Sequence, residues 1–208
     1  MNLSELTSAS FLDELASGKS TPGGGGAAAY TGALAAALTS MVANLTLGKK
    51  KYEEVEDDIK DILMETELAR YELLKLVDKD AEAFTSLMNS FQLPKTNEEE
   101  KLKRTEMIQE TLKTAAAVPL EIARQCEEII KLASEIVSIG NKNAITDATI
   151  SGILARAALR SALFNVKINL ISIKDPGFVD VVKQEMVFME AKALELENDI
   201  LKITEERM

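Results

Sequence analysis

The chain has 208 residues, 46% of them hydrophobic and 28% charged, with a formal net charge of −10. That length suits one domain over residues 1–208, and this balance of apolar and charged side chains excludes a disordered chain. The acidity argues against a nucleic-acid partner, because a phosphate-binding face needs clustered cations.

Ala, Leu, Glu, Lys and Ile dominate, with four prolines and no tryptophan, a usage that favours helix over sheet. A short first helix is predicted to start near Ser8 or Ser10, carry Phe11, Leu12 and Leu15, and end at Gly18. The loop Thr21-Pro22-Gly23-Gly24-Gly25-Gly26 follows. From Gly23 to Gly48 no residue is charged, a run long enough to cross a bilayer. Its many Ala, Gly and Thr residues, and the acidic segment before it, fit a buried helix better than a membrane span or signal peptide. Gly32, Ala36, Ser40 and Asn44 recur every four residues there, giving one face of little bulk for close packing. A long charged helix is predicted from about Glu53 to Phe91, with Leu73, Leu76, Val77, Phe84, Leu87 and Phe91 on its apolar face. Asn97 with Glu98 to Glu100 starts the next, which runs towards Ser138 and should kink at Pro119. Gly140-Asn141 breaks the chain before a nearly uncharged helix from about Thr146 to Ile171. Asp175-Pro176 opens the last. No segment alternates as a strand does. The expectation is an all-α, up-and-down bundle of about five long helices plus the short N-terminal one, with the two uncharged helices central and three charged ones around them.

The sequence contains no histidine, which removes the commonest general base and the commonest metal ligand. With a single cysteine, Cys126, no zinc site of His and Cys can be built in one chain, and no intramolecular disulfide can form; both suit a reducing cytoplasm. Acidic neighbours should keep that thiol protonated. Acid–base chemistry would fall to carboxylates, lysines or tyrosines.

Asp80 is the most informative of these. It follows Val77 by three and precedes Phe84 by four, so it projects from the apolar face, whereas Asp78 and Glu82 lie roughly 200° away on the helix and should face water. A carboxylate aimed into a core is either paired structurally or held at a raised pKa for function. Ser161, Asn165 and Asn169 form a polar stripe that serves either each other and nearby backbone or the edge of a heterocycle. Asp147 near its helix start is a cap or a substrate contact. Gly23, Gly24 and Gly25 either allow tight packing or leave N–H groups free for an anion. Lys50, within Lys49-Lys50-Lys51, is a solvated helix end or an anchor for an anionic tail.

Thr21-Pro22-Gly23-Gly24-Gly25, Met41-Val42-Ala43-Asn44, Asp80-Ala81-Glu82-Ala83-Phe84, Leu93-Pro94, Val118-Pro119, Gly140-Asn141, Asp147 and Asn165-Val166-Lys167-Ile168-Asn169-Leu170 occur in this order. Over nearly its whole length the chain resembles the formiminotetrahydrofolate cyclodeaminase / methenyltetrahydrofolate cyclohydrolase family. The resemblance implies an all-helical cytoplasmic homodimer that acts on folates, with polyglutamylated forms among the candidate substrates, without metal, nucleotide or other cofactor. It also places the family's catalytic aspartate at Asp80, gives Asn165 and Asn169 the pterin or the reacting nitrogens, and gives the glycine loop and lysine cluster the benzoyl-glutamate end. Two reactions are implied: closure of 5-formiminotetrahydrofolate to the 5,10-methenyl compound with loss of ammonia, and hydrolysis of that compound to 10-formyltetrahydrofolate. The sequence carries no formiminotransferase segment, which sets hydrolysis nearly level with deamination. The competing class is a helical scaffold; two uncharged helices and an inward-pointing aspartate speak against it.

Overall fold

Side-chain caps set three of the helix starts in the computed structural model, which describes residues 2–208. Helix α1 (Ser8–Ala16) begins where Thr7 accepts the Ser10 N–H at 3.1 Å. Helices α2 (Gly24–Thr46) and α3 (Glu56–Gln92) follow. Asn97 accepts the Glu100 N–H at 2.8 Å to open α4 (Glu98–Ile139). After α5 (Ile145–Leu170), Asp175 accepts the Phe178 N–H at 3.1 Å, and Pro176 is the first residue of α6 (Pro176–Arg207). Each cap satisfies a donor that the first turn cannot. Short 3-10 turns occupy Leu3–Glu5, Lys50–Val55 and Lys142–Ala144, and no strand occurs among the described residues. The all-α bundle expected from the sequence is the observed fold.

Small side chains bring α2 close to its neighbours. Ala29, Ala35, Ala36 and Ala43 are fully buried on it. At Gly32 an added Cβ would lie 2.7 Å from Cys126 Sγ on α4 and 3.2 Å from the Leu73 methyls on α3. Asn44, at the end of that small-residue face, is instead exposed, and its amide donates to Ser40 O at 2.9 Å. Pro119 sits inside α4 without ending it. The missing N–H costs one hydrogen bond, and buried Ala116, Leu120 and Ala123 hold both flanking turns to the core.

Two expectations need correction. Helices α2 and α5 are packed side by side, joined by the buried Thr39–Ser151 hydrogen bond of 2.7 Å, but the charged helices do not enclose them. Leu34, Met41 and Leu45 of α2 and Ile150 and Ile153 of α5 are exposed, leaving one largely uncharged side uncovered. Helix α2 is also the one helix among the described residues long and apolar enough to cross a membrane, and 61% of its apolar window is buried inside the protein. The second correction concerns Asp78. It does not simply face water: its carboxylate accepts the N–H of Leu3 at 2.5 Å, the N–H of Ser4 at 3.5 Å and the Ser4 hydroxyl.

Candidate active site

The first turn of α2 meets the middle of α3 at Asp80. The Gly26 N–H donates to Asp80 Oδ2 at 3.0 Å. A Cβ built on Gly25 would fall inside the Asp80 carboxylate, so only glycine lets the helix start come this close. A Cβ on Gly24 would lie 3.3 Å from Asn165 Nδ2 of α5. Four helices thereby converge on a cavity of about 350 Å³, walled by Ser20, Thr21, Gly23, Gly24 and Gly25, by Asp80, Phe84, Leu87 and Met88 of α3, by Ala115 of α4, and by Asn165, Ile168 and Asn169 of α5.

The cavity's electrostatics follow from its lining. Among the described residues Asp80 is its only ionisable side chain, and it makes no salt bridge with any of them. Burial raises its pKa above the ordinary carboxylate value, and the Gly26 N–H opposes that shift only in part. The N–H groups of Gly24 and Gly25 have no acceptor among the described residues, as expected for a helix start, and they point partial positive charge at the cavity.

The two asparagines are oriented by their amide hydrogens. Asn169 Nδ2 donates to Ala115 O at 2.8 Å and to Asn165 O at 2.9 Å, and Asn165 Nδ2 donates to Ser161 O at 2.9 Å. Reversing either amide would set oxygen against oxygen, so each Oδ1 is left as an acceptor. No hydrogen bond among the described residues ends on either Oδ1.

Of the residues singled out in the sequence, Gly23, Gly24, Gly25, Asp80, Asn165 and Asn169 come together here. Lys50 and Asp147 do not. Lys50 follows the far end of α2, roughly 33 Å along a helix of this length, and lines a shallow groove with Gly48, Lys49, Glu53 and Glu56. Asp147 lies in the first turn of α5, at that same distant end. Periodicity missed Ser20, Thr21, Met88, Ala115 and Ile168; no signal marks Ala115, whereas Ile168 falls between the two asparagines and shows in the motif from Asn165 to Leu170 itself. Phe84 was read as core and instead walls the cavity. Cys126 is fully buried, and that burial, not its acidic neighbours, pushes its pKa up to about 12. No cluster of three or more metal-ligating side chains occurs among the described residues.

Residues 7–187 match the sequence profile of the formiminotransferase-cyclodeaminase family. The chain belongs to that family. It is 48% identical over 183 residues to a methenyltetrahydrofolate cyclohydrolase of Methylorubrum extorquens, covering 88% of each chain. It is 32% identical to a formimidoyltransferase-cyclodeaminase of Rattus norvegicus, covering 88% of this chain but only 34% of the rat protein. The crystal structure of a formiminotetrahydrofolate cyclodeaminase from Thermotoga maritima superposes with a TM-score of 0.88 at 34% identity, over 97% of both chains. The family is one of folate one-carbon enzymes, and this chain is an enzyme of that class.

Proposed function

We propose that the cavity binds the N5–N10 one-carbon bridge of tetrahydrofolate and that its main reaction is hydrolysis of 5,10-methenyltetrahydrofolate to 10-formyltetrahydrofolate. The observation that carries this reading is Asp80, a carboxylate without a counter-ion in an otherwise uncharged cavity. A methenyl bridge is an amidinium cation, and such a cation supplies the charge this site lacks. The 48% identity to a cyclohydrolase of matching length favours hydrolysis. The Thermotoga maritima cyclodeaminase supports a second reading, closure of the formimino compound, and the formimino group is also an amidine.

In hydrolysis, water adds to the bridge carbon while Asp80 takes one of its protons. The Gly24 and Gly25 N–H groups hold the oxygen as charge builds on it. Asp80 then returns its proton to N5, the C–N5 bond breaks, and the second hydroxyl proton leaves to solvent as the formyl C=O forms on N10. In cyclodeamination N10 attacks the formimino carbon, Asp80 takes the N10 proton and passes it to the amino nitrogen, and the bond from carbon to that nitrogen breaks as ammonia departs. A raised pKa suits both roles, since one group must accept and release a proton near neutrality. Asn165 and Asn169 offer Oδ1 to pterin N–H groups, and Phe84, Met88 and Ile168 wall the ring. Water and proton transfer balance the hydrolysis, and proton transfer with release of ammonia balances the deamination, so this reading calls for no metal or cofactor.

The same reading makes the protein a cytoplasmic homodimer. The uncovered α2–α5 side supports it, because apolar surface of that kind is normally buried by a second copy. The tail-binding role given to Lys50 and the substrate contact given to Asp147 then require a partner subunit, since neither reaches the cavity within one chain. The test is spectroscopic. Loss of methenyl absorbance above the spontaneous rate identifies a cyclohydrolase, and its appearance from 5-formiminotetrahydrofolate identifies a cyclodeaminase. No effect on either substrate rules the assignment out.

A further inference from the structure

We propose that Asp78 is a positioning residue: it clamps the N-terminal strap that forms one wall of the folate cavity. This rests on the cavity being the active site, but the clamp itself is read from contacts that need no substrate. Residues 2–23 form a strap across α2 and α3, held at three places. At its start, Asp78 accepts two backbone N–H groups, of Leu3 and Ser4, and the Ser4 hydroxyl. In its middle, Phe11 is 1% exposed and stacks on Tyr30 with ring centroids 4.7 Å apart, while Ser8 Oγ and Tyr30 Oη are 3.0 Å apart. Just beyond its end, Gly26 donates to Asp80.

Two carboxylates in one turn of α3 thus hold both ends of the strap, from different sides of the helix. Thr21 connects the clamp to the chemistry. One side of it faces the folate cavity, and the other faces a groove lined by Asn2, Leu3, Asp78 and Ala81. The clamped turn at Leu3–Glu5 and the Thr21 side of the cavity wall thus border one groove on α3. Phe11 is the one buried residue of α1 and the Leu3–Glu5 turn has none, while Leu3, Leu6 and Leu15 pack only partly buried against the core. A segment held mainly by half-buried side chains leans on its polar anchors as well, and hydrogen bonds to a charged acceptor are the strongest available.

The test compares wild type with Asp78→Ala and Asp78→Asn by amide hydrogen exchange on ligand-free protein, and by steady-state kinetics. Asp78→Ala should speed exchange at the hydrogen-bonded amides from Phe11 to Lys19 by about tenfold, the equivalent of one lost charge-assisted hydrogen bond, and leave α4, α5 and α6 unchanged. KM should rise by about the same factor with kcat within about twofold. Asp78→Asn, which keeps one acceptor oxygen for the Leu3 N–H, should recover part of both effects. Exchange that quickens only at residues 2–6, or equally throughout the chain, overturns the proposal. If wild type turns over neither folate, the functional reading fails, and the exchange pattern alone still decides the clamp.

Discussion

The two ends of the α2–α3 pair are built on opposite electrostatic plans. At the far end, Lys49, Lys50, Glu53 and Glu56 line an open groove, and Lys51 sits 5.5 Å from the Tyr52 ring centroid. Water screens those charges, and their net worth is small. At the near end a single carboxylate stands among glycines, apolar side chains and asparagines, so each group there acts through a low dielectric. One isolated charge in a partly buried cavity is better equipped for proton transfer than several in open water.

The sharpest way to break that contrast is Asp80→Asn. It keeps an oxygen for the Gly26 N–H and removes the proton carrier, so turnover should fall by about 10²- to 10⁴-fold. Stability should move the other way. The Asp80 pKa is raised on folding, so its contribution to stability is complete below the ordinary carboxylate pKa and is lost as pH rises through the raised folded value. Asparagine cannot ionise and escapes that loss. The variant should unfold at higher temperature than wild type at pH 7–8, by roughly 0.5–2 kcal/mol, and the gap should close on acidification. In wild type, hydrolysis needs the ionised form, so the acidic limb of kcat/KM, which reports the free enzyme, should lie above the ordinary aspartate range. Equal melting temperatures at pH 8 with full activity would remove Asp80 from the mechanism.

Gly25→Ala probes the same contact from the other helix. Its methyl group must displace the Asp80 carboxylate or the start of α2. A shift of about 1 Å at a reacting group costs about 10² in rate, and overpacking of this kind destabilises by roughly 1–3 kcal/mol. Asn169→Ala should do less. It removes one cavity acceptor and frees the Ala115 carbonyl, for about a tenfold rise in KM. If kcat fell and KM did not, Asn169 would act on the transition state rather than on the bound pterin.

Much of this was legible in the sequence because each feature had a local cause. Asn97, Asp175 and Pro176 announce helix starts by their chemistry, and the spacing of Val77, Asp80 and Phe84 puts a carboxylate on an apolar face. What escaped was relational. Asp78 is on the polar side of α3, yet a turn some seventy residues upstream settles on it, and no periodicity reports such a contact. Composition alone also placed α2 and α5 at the centre, because apolar helices look buried whatever buries them. The exposed Leu34, Met41 and Ile153 show that a single chain leaves that side open.

The smallest expected effect tests the distant end. Lys50→Ala and Asp147→Ala change groups that one chain holds roughly 30 Å from Asp80 by helix length. If each chain works alone, both variants should leave KM for a monoglutamyl folate within about twofold of wild type, the scale of exposed charges. A homodimer whose α2–α5 sides meet could instead bring the partner's far end towards the cavity. Lys50→Ala should then raise KM more for a polyglutamyl folate than for the monoglutamate, and rising salt should erase the difference. Equal KM values for both folates at low salt would confine substrate binding to the near end and leave Lys50 as a solvated helix end.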